Sequence, residues 1–226
     1  MSDPEPIGNE VQAQAARLAE RQQSRPRPQA KPSPVLPDAS AMFKKIKQAA
    51  DEAWWVDTVP RKYQGADVEN FEPVVRDGLV RWADRAESGV NLLIFGPVGT
   101  GKTHAAFAAA RQMFERGAYF ARWPEYRLKA GLDYRDPEGA RLVRDEVCCT
   151  RLLVLDDLGA HKPNDWWVGE VFGIVEHRWE DDLPTIVTTN LDPPHLAEAI
   201  GERTYSRLTA APAVAVRLSG NDRRMA

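Results

Sequence analysis

Eight residues constrain this chain more than any others: Gly96-Pro97-Val98-Gly99-Thr100-Gly101-Lys102-Thr103. The apolar run at residues 91–95 predicts a short buried strand, and residues 105–116 predict a helix, so the glycines occupy a strand-to-helix turn. Glycine allows successive backbone N–H groups to converge on phosphate oxygens, and a helix N-terminus adds positive dipole at the same point. Lys102 would then reach β- and γ-phosphates, and the Thr103 hydroxyl would hold Mg²⁺. A glycine-rich turn without nucleotide is the alternative, but the full pattern in this context points to nucleoside triphosphate binding and an α/β fold.

A second signal is Leu152-Leu153-Val154-Leu155-Asp156-Asp157. Four apolar residues ending in two acids read as a buried parallel strand whose C-terminal edge brings a carboxylate beside the phosphate loop. Asp156 is expected to hold the divalent ion and Asp157 to orient an attacking water, although paired acids also cap turns. Residues 184–190 form another strand ending in Thr189 and Asn190, where an amide can sense the γ-phosphate or merely make a turn. Arg203 and Arg207 are four apart and share a helix face. One of them could neutralise charge on a neighbouring subunit's nucleotide, or both could form surface salt bridges.

The remaining segments set the organisation. Residues 10–23 favour a helix with little apolar surface, and Pro26, Pro28, Pro32, Pro34 and Pro37 favour an extended linker. Asp38 is a plausible cap for a helix whose Met42, Phe43, Ile46, Ala49, Ala50, Ala53 and Trp54 recur at three- and four-residue spacing, opposite Lys44, Lys45 and Lys47. Packing on the body, docking to a partner and lying on a membrane surface all fit that stripe. Asn70 to Pro73 opens a helix with Val75, Leu79 and Trp82 on one face; residues 118–123 are the next strand, and Pro124 suits a first helical turn. Two helices follow, split near Asp136-Pro137. There Arg122, Arg127, Lys129, Arg135, Arg141 and Arg144 interleave with Trp123, Tyr126 and Tyr134. Such a mixture can follow a single-stranded backbone and stack bases, or it can be ordinary surface charge over core aromatics. Asn164 caps a helix over residues 165–180 that carries Trp167, Val171, Ile174, Val175 and Trp179 inward, and residues 213–218 make a last strand.

Charge and composition add exclusions. The net charge of −3 conceals a basic first fifty residues, with eight Lys or Arg against five Asp or Glu, which alone does not establish nucleic-acid contact. The two cysteines, Cys148 and Cys149, are adjacent, a spacing unlike a metal site or a disulfide framework, so a reducing environment is expected. No stretch approaches the ~18 apolar residues of a membrane span, and the first residues lack signal-peptide character, so a cytoplasmic protein is expected.

In this order, the phosphate loop, Leu-Leu-Val-Leu-Asp-Asp-Leu-Gly, Val-Thr-Thr-Asn-Leu, Gly-Glu-Arg-x-x-x-Arg-Leu and a closing strand, the chain resembles the DnaC/DnaI-type replicative helicase loaders and their IstB-type transposition relatives in the AAA+ class. The resemblance runs from about residue 59 to the end. It implies a P-loop NTPase domain over residues 59–226, three-layered around a five-stranded parallel sheet, behind a helical or disordered extension over residues 1–58 that binds a partner. It also implies ATP and Mg²⁺ as cofactors, with Gly96 to Thr103 as the cradle and Thr103 and Asp156 as metal ligands. Asp157, Asn190, Arg207 and Arg203 then have catalytic roles, Arg207 being the stronger candidate for the trans-acting residue. The expected protein is a slow ATPase stimulated by DNA or partner, which self-associates and delivers a hexameric replicative helicase to single-stranded DNA. An IstB-like transposition helper and a nucleotide-binding adaptor with negligible turnover are the alternatives. No helical lid is expected, leaving Arg223 or Arg224 to stand in for its arginine.

Overall fold

Five short runs build the strands β1 (Leu92–Phe95), β2 (Phe120–Pro124), β3 (Leu152–Asp156), β4 (Thr185–Thr189) and β5 (Val214–Arg217); the central β3 and β4 are buried on both faces, whereas the edge strand β5 alternates buried and exposed residues. All adjacent pairs are parallel and the order is β2-β3-β4-β1-β5. The computed structural model describes residues 39–160, 164–210 and 212–220. The expected helix at 10–23, the proline-rich linker, the Asp38 cap, Arg223 and Arg224 lie outside them.

The chain divides after Trp54 into two units. In the first, helix α1 (Ala39–Thr58, which runs on into the second unit) exposes Ile46 and pairs Lys47 with Asp51 one turn on. The second unit holds the sheet and the helices α2 (Pro73–Ala83), α3 (Lys102–Glu115), α4 (Glu125–Gly131), α5 (Pro137–Cys149), α6 (Asp165–Glu180), α7 (Pro193–Ile200) and α8 (Glu202–Thr209). Helix α3 packs across β1, β3 and β4 while α2 covers β5. Against the opposite face, Leu93, Leu153, Leu155 and Val187 meet the apolar sides of α5, α6, α7 and α8 through Val147, Val171, Leu196 and Leu208. Strand alternation sorts the side chains: one parity faces α3, the other the α5–α8 layer. The domain is therefore the expected three-layer α/β fold with a five-stranded parallel sheet.

Two expectations fail locally. Pro124 ends β2 and stands at the N-cap of α4 rather than within its first turn. Trp179 is 43% exposed instead of inward. Its neighbour Arg178 takes the inward position because the carbonyl ends of α5 lie there and need a donor. Arg178 is 1% exposed. Its Nη1 donates to the carbonyls of Val147 at 2.9 Å and Thr150 at 2.8 Å, its Nη2 to Pro184 at 2.7 Å, and its Nε to Thr185 Oγ1 at 2.9 Å. Burial pushes this guanidinium down to about 10, which still leaves it charged at neutral pH. The cysteines on α5 are free thiols, and burial raises that of Cys148.

Candidate nucleotide site

Because every strand is parallel, the C-terminal ends of β1, β3 and β4 lie along one edge of the sheet, where open α/β sheets bind ligands. The glycine loop leaves β1 there. Gly96 adopts φ +148°, and a Cβ added to it would lie 2.1 Å from the Leu218 carbonyl oxygen, so no side chain fits. Gly101, at φ +93°, is the N-cap of α3, which starts at Lys102 rather than at the expected residue 105. Lys102 is buried, and its Nζ donates to the carbonyls of Gly96 at 2.9 Å and Pro97 at 2.7 Å, holding the ammonium within the loop at the helix N-terminus. Thr100 closes the turn by donating to the Pro97 carbonyl at 2.9 Å.

Asp156 meets this loop from β3. The Thr103 hydroxyl donates to its Oδ1 at 3.0 Å, and the Thr188 hydroxyl donates to the same oxygen at 2.7 Å. Thr188 does so because β4 lies between β1 and β3, placing its end between loop and acid. The other carboxylate oxygen, Oδ2, accepts from Arg122 of β2. Asp157 follows in the left-handed region at φ +63°, a conformation Asp tolerates better than most residues, and its backbone N–H donates to Thr188 Oγ1 at 2.9 Å. Asn190 Nδ2 donates to Asp157 Oδ1 at 3.2 Å.

Lys102, Thr103, Asp157 and Asn190 line one cavity of about 610 Å³. Lys62, Tyr63, Asn70 and His104 line the same cavity, although the sequence marks Lys62 and Tyr63 only as part of the lead-in at residues 59–63 and none of the four is expected at the site; Tyr63 is stacked on Phe107 with ring centroids 4.8 Å apart. The volume and the mixture of polar edge and aromatic wall suit a nucleotide. Among the described residues no group of three or more His, Cys, Asp or Glu side chains could cage a metal alone. The hard oxygens of Thr103 and Asp156 instead fit a divalent ion that completes its shell with phosphate oxygens and water.

A sequence-family model described as IstB-like ATP binding protein matches residues 78–211, more than half the chain. The chain belongs to this family. Within it lie the glycine loop, Asp156, Asp157, Asn190, Arg203 and Arg207, so nucleotide binding is a property of the family. Among relatives, the replicative helicase loader DnaI of Bacillus subtilis is 32% identical over 125 residues, 53% of this chain and 38% of that protein. A putative ATP-binding protein in an insertion sequence of Mycobacterium tuberculosis is 28% identical over 123 residues, 53% of this chain and 47% of that protein. The chain thus spans less than half the length of either. Among solved structures, the DnaC helicase loader superimposes with a TM-score of 0.61 at 23% identity, over 71% of this chain and all of that one. DnaI gives 0.61 at 24% identity over 74% and 94% of the two chains. DnaA bound to AMPPCP and single-stranded DNA gives 0.60 at 22% identity over 73% and 52%. These likenesses show the fold alone, an α/β domain built on a parallel sheet.

The two arginines of this IstB-like chain do not line the cavity. Arg207 is held by Glu176, with Nε donating to Oε2 at 2.6 Å and Nη2 to Oε1 at 3.2 Å, and its guanidinium lies 4.0 Å from the Trp179 ring centroid. Glu176 is held below the usual carboxylate range by this pair. The Arg207 carbonyl accepts from Asn91 at the end of β1 opposite the glycine loop. Arg203 lies 4.4 Å from the Phe172 ring centroid.

The basic and aromatic segment of the family member also divides. Arg144 pairs with Glu170 at 2.6 Å, Arg135 with Asp133 at 2.6 Å and Arg141 with Asp145 at 3.5 Å, as ordinary surface charges do. Arg122 belongs to the nucleotide site instead. Trp123 packs against the core, while Tyr126 and Tyr134 are exposed and, with Trp166 at the start of α6, line an open cleft of about 680 Å³ together with Lys129, Asp133 and Arg135. Among the described residues no helix is long and apolar enough to cross a membrane.

Proposed function

We propose that the protein is an ATP-switched loader, which holds a hexameric replicative helicase and single-stranded DNA in its ATP-bound assembly and releases them on hydrolysis. The observation that carries this reading beyond ATP binding is the open cleft of Tyr126, Tyr134 and Trp166 beside Lys129, with Arg135 held there by Asp133, because aromatic faces with a nearby cation suit the unstacked bases of a single strand. The similarity to a helicase loader over half the chain supports it. Residues 1–58 would supply the partner-binding extension and residues 59–226 the ATPase.

In this reading the loop N–H groups and Lys102 bind and orient the phosphates. Thr103 and Asp156 would hold Mg²⁺, which when bound neutralises charge on the phosphate oxygens. Asp157, kept in place by the Thr188 hydroxyl and the Asn190 amide, orients the attacking water. Arg207, with Arg203 beside it, would complete a neighbouring copy's site once it leaves Glu176. Arg207→Ala is therefore expected to spare ATP binding by isolated subunits and to lower turnover ~10³-fold or more, with recovery in mixed assemblies. Lost nucleotide binding in the isolated variant would contradict a trans role.

The loader reading is tested with purified protein, hexameric helicase and circular single-stranded DNA. Wild type should leave helicase on the circle after ATP turnover. Asp157→Ala should assemble the same complex but retain it, with phosphate release ~10²-fold or more slower. Equal phosphate release by both proteins would remove the hydrolytic role of Asp157 and favour a binding adaptor. A second reading, a transposition helper acting with a transposase on duplex DNA, is favoured by the family match and the insertion-sequence relative. Stimulated strand transfer without helicase retention would replace the loader reading with it.

A further inference from the structure

Asp156 is more heavily engaged than a metal ligand needs to be. Its Oδ1 accepts from Thr103 and Thr188, and its Oδ2 from the Arg122 guanidinium. The strands explain the encounter. Arg122 pairs with Val154 and Pro124 with Asp156, so the arginine is two residues behind the acid on the neighbouring strand, on the face that looks toward α3. A long side chain spans that diagonal. The Arg122 guanidinium lies 5.4 Å from the Phe107 ring centroid of α3, and its Nε is buried with no hydrogen-bond partner among the described residues. Asp156 is thus its sole ion-pair partner among them. The acid is almost wholly shielded and the arginine largely so, with side-chain exposures of 4% and 22%, which leaves the pair little screened by solvent.

We propose that Arg122 is a positioning residue that competes with the divalent ion for Asp156 and thereby weakens the coupling between Mg²⁺ and nucleotide in this chain. This rests on the reading of Thr103 and Asp156 as the ion's ligands. A cation already touching the carboxylate cancels much of the negative potential that would attract a second one, and Mg²⁺ is repelled by a guanidinium at close range. Direct approach of the ion to Oδ2 requires Arg122 to swing away, while Oδ1 stays oriented by the two threonines. The arginine keeps the buried acid compensated whenever the ion is absent, and ion binding must displace that compensation.

The test is the Mg²⁺ dependence of binding of a fluorescent ATP analogue, titrated from excess chelator upward on the full chain, with thermal melting as the second readout. Arg122→Gln is expected to lower the half-saturating Mg²⁺ concentration about tenfold. It should also lower the melting temperature without Mg²⁺ and enlarge the rise when Mg²⁺ and nucleotide are added. Arg122→Met, which keeps the packing on Phe107, carries the same expectation if the glutamine variant does not fold, and Arg122→Lys, which keeps the charge, should stay near wild type. Unchanged or higher Mg²⁺ requirement in folded Arg122→Gln or Arg122→Met overturns the inference. Thr103→Ala separates this from failure of the underlying site: if it keeps the wild-type Mg²⁺ dependence, the ion is not held there and both readings fall. If Thr103→Ala abolishes that dependence while Arg122→Gln leaves it untouched, only the competition is lost.

Discussion

Replacing Lys102 with alanine is expected to weaken ATP binding by about 2–5 kcal/mol, about 30-fold to several thousandfold, and to lower turnover a further ~10²-fold. Lys102 is the buried cation at the N-terminus of α3, and its ammonium is supported by two loop carbonyls within hydrogen-bonding distance. A phosphate oxygen placed in the loop gains a charge-assisted donor from a side chain that needs only to rotate from those carbonyls. Removing it leaves the backbone N–H groups and the helix dipole, which still bind anions but without a full charge. Calorimetric titration with a non-hydrolysed ATP analogue measures the loss. Unchanged affinity in a folded variant would show that the cavity does not take phosphates at the loop.

Arg178→Met should be the most destabilising single change on the opposite side of the sheet, at about 3–5 kcal/mol. The methionine fills similar space but strips the donors from the carbonyls of Val147, Thr150 and Pro184 in a region closed to water. These groups join the end of α5 to the start of β4, so the loss is shared by two elements. For a domain of this size the melting temperature should fall by about 6–20 °C. Arg178→Lys should fall between the two because a single ammonium cannot reach every acceptor. A decrease below about 1 kcal/mol for Arg178→Met would mean that the carbonyls find water.

The fold and site were unequally legible. The strand, loop and helix around Gly96 to Thr103 were readable because glycine conformation and apolar periodicity are local properties. The helix Asp165–Glu180 with its Asn164 cap, whose Oδ1 accepts from the Trp167 N–H at 2.8 Å, was readable for the same reason. Asp156, Asp157 and Asn190 were legible as polar residues ending apolar strands. Thr188 was not, since a threonine within a β-branched run looks like any strand residue until its neighbour across the sheet is known. Arg122 was assigned to the wrong surface: alternation along β2 tells which face it shares, but not that the partner strand ends in a carboxylate two positions ahead. Trp179 and Arg178 exchanged roles because hydrophobicity ranks tryptophan inward, whereas two carbonyls at the end of α5 and one just before β4 required a buried donor.

From its residues alone this protein is committed to a phosphate-binding loop at a strand-to-helix turn, an acidic strand end and an α/β domain, since these follow from backbone freedom, periodicity and charge within a few positions of one another. The tertiary structure alone decides that β4 separates the loop strand from the acidic strand, that Thr188 of β4 holds the end of the acidic strand, and that an arginine from the edge strand β2 reaches that strand's carboxylate. Those outcomes depend on strand order and register, which are set by how distant faces bury one another and which no local stretch of sequence encodes.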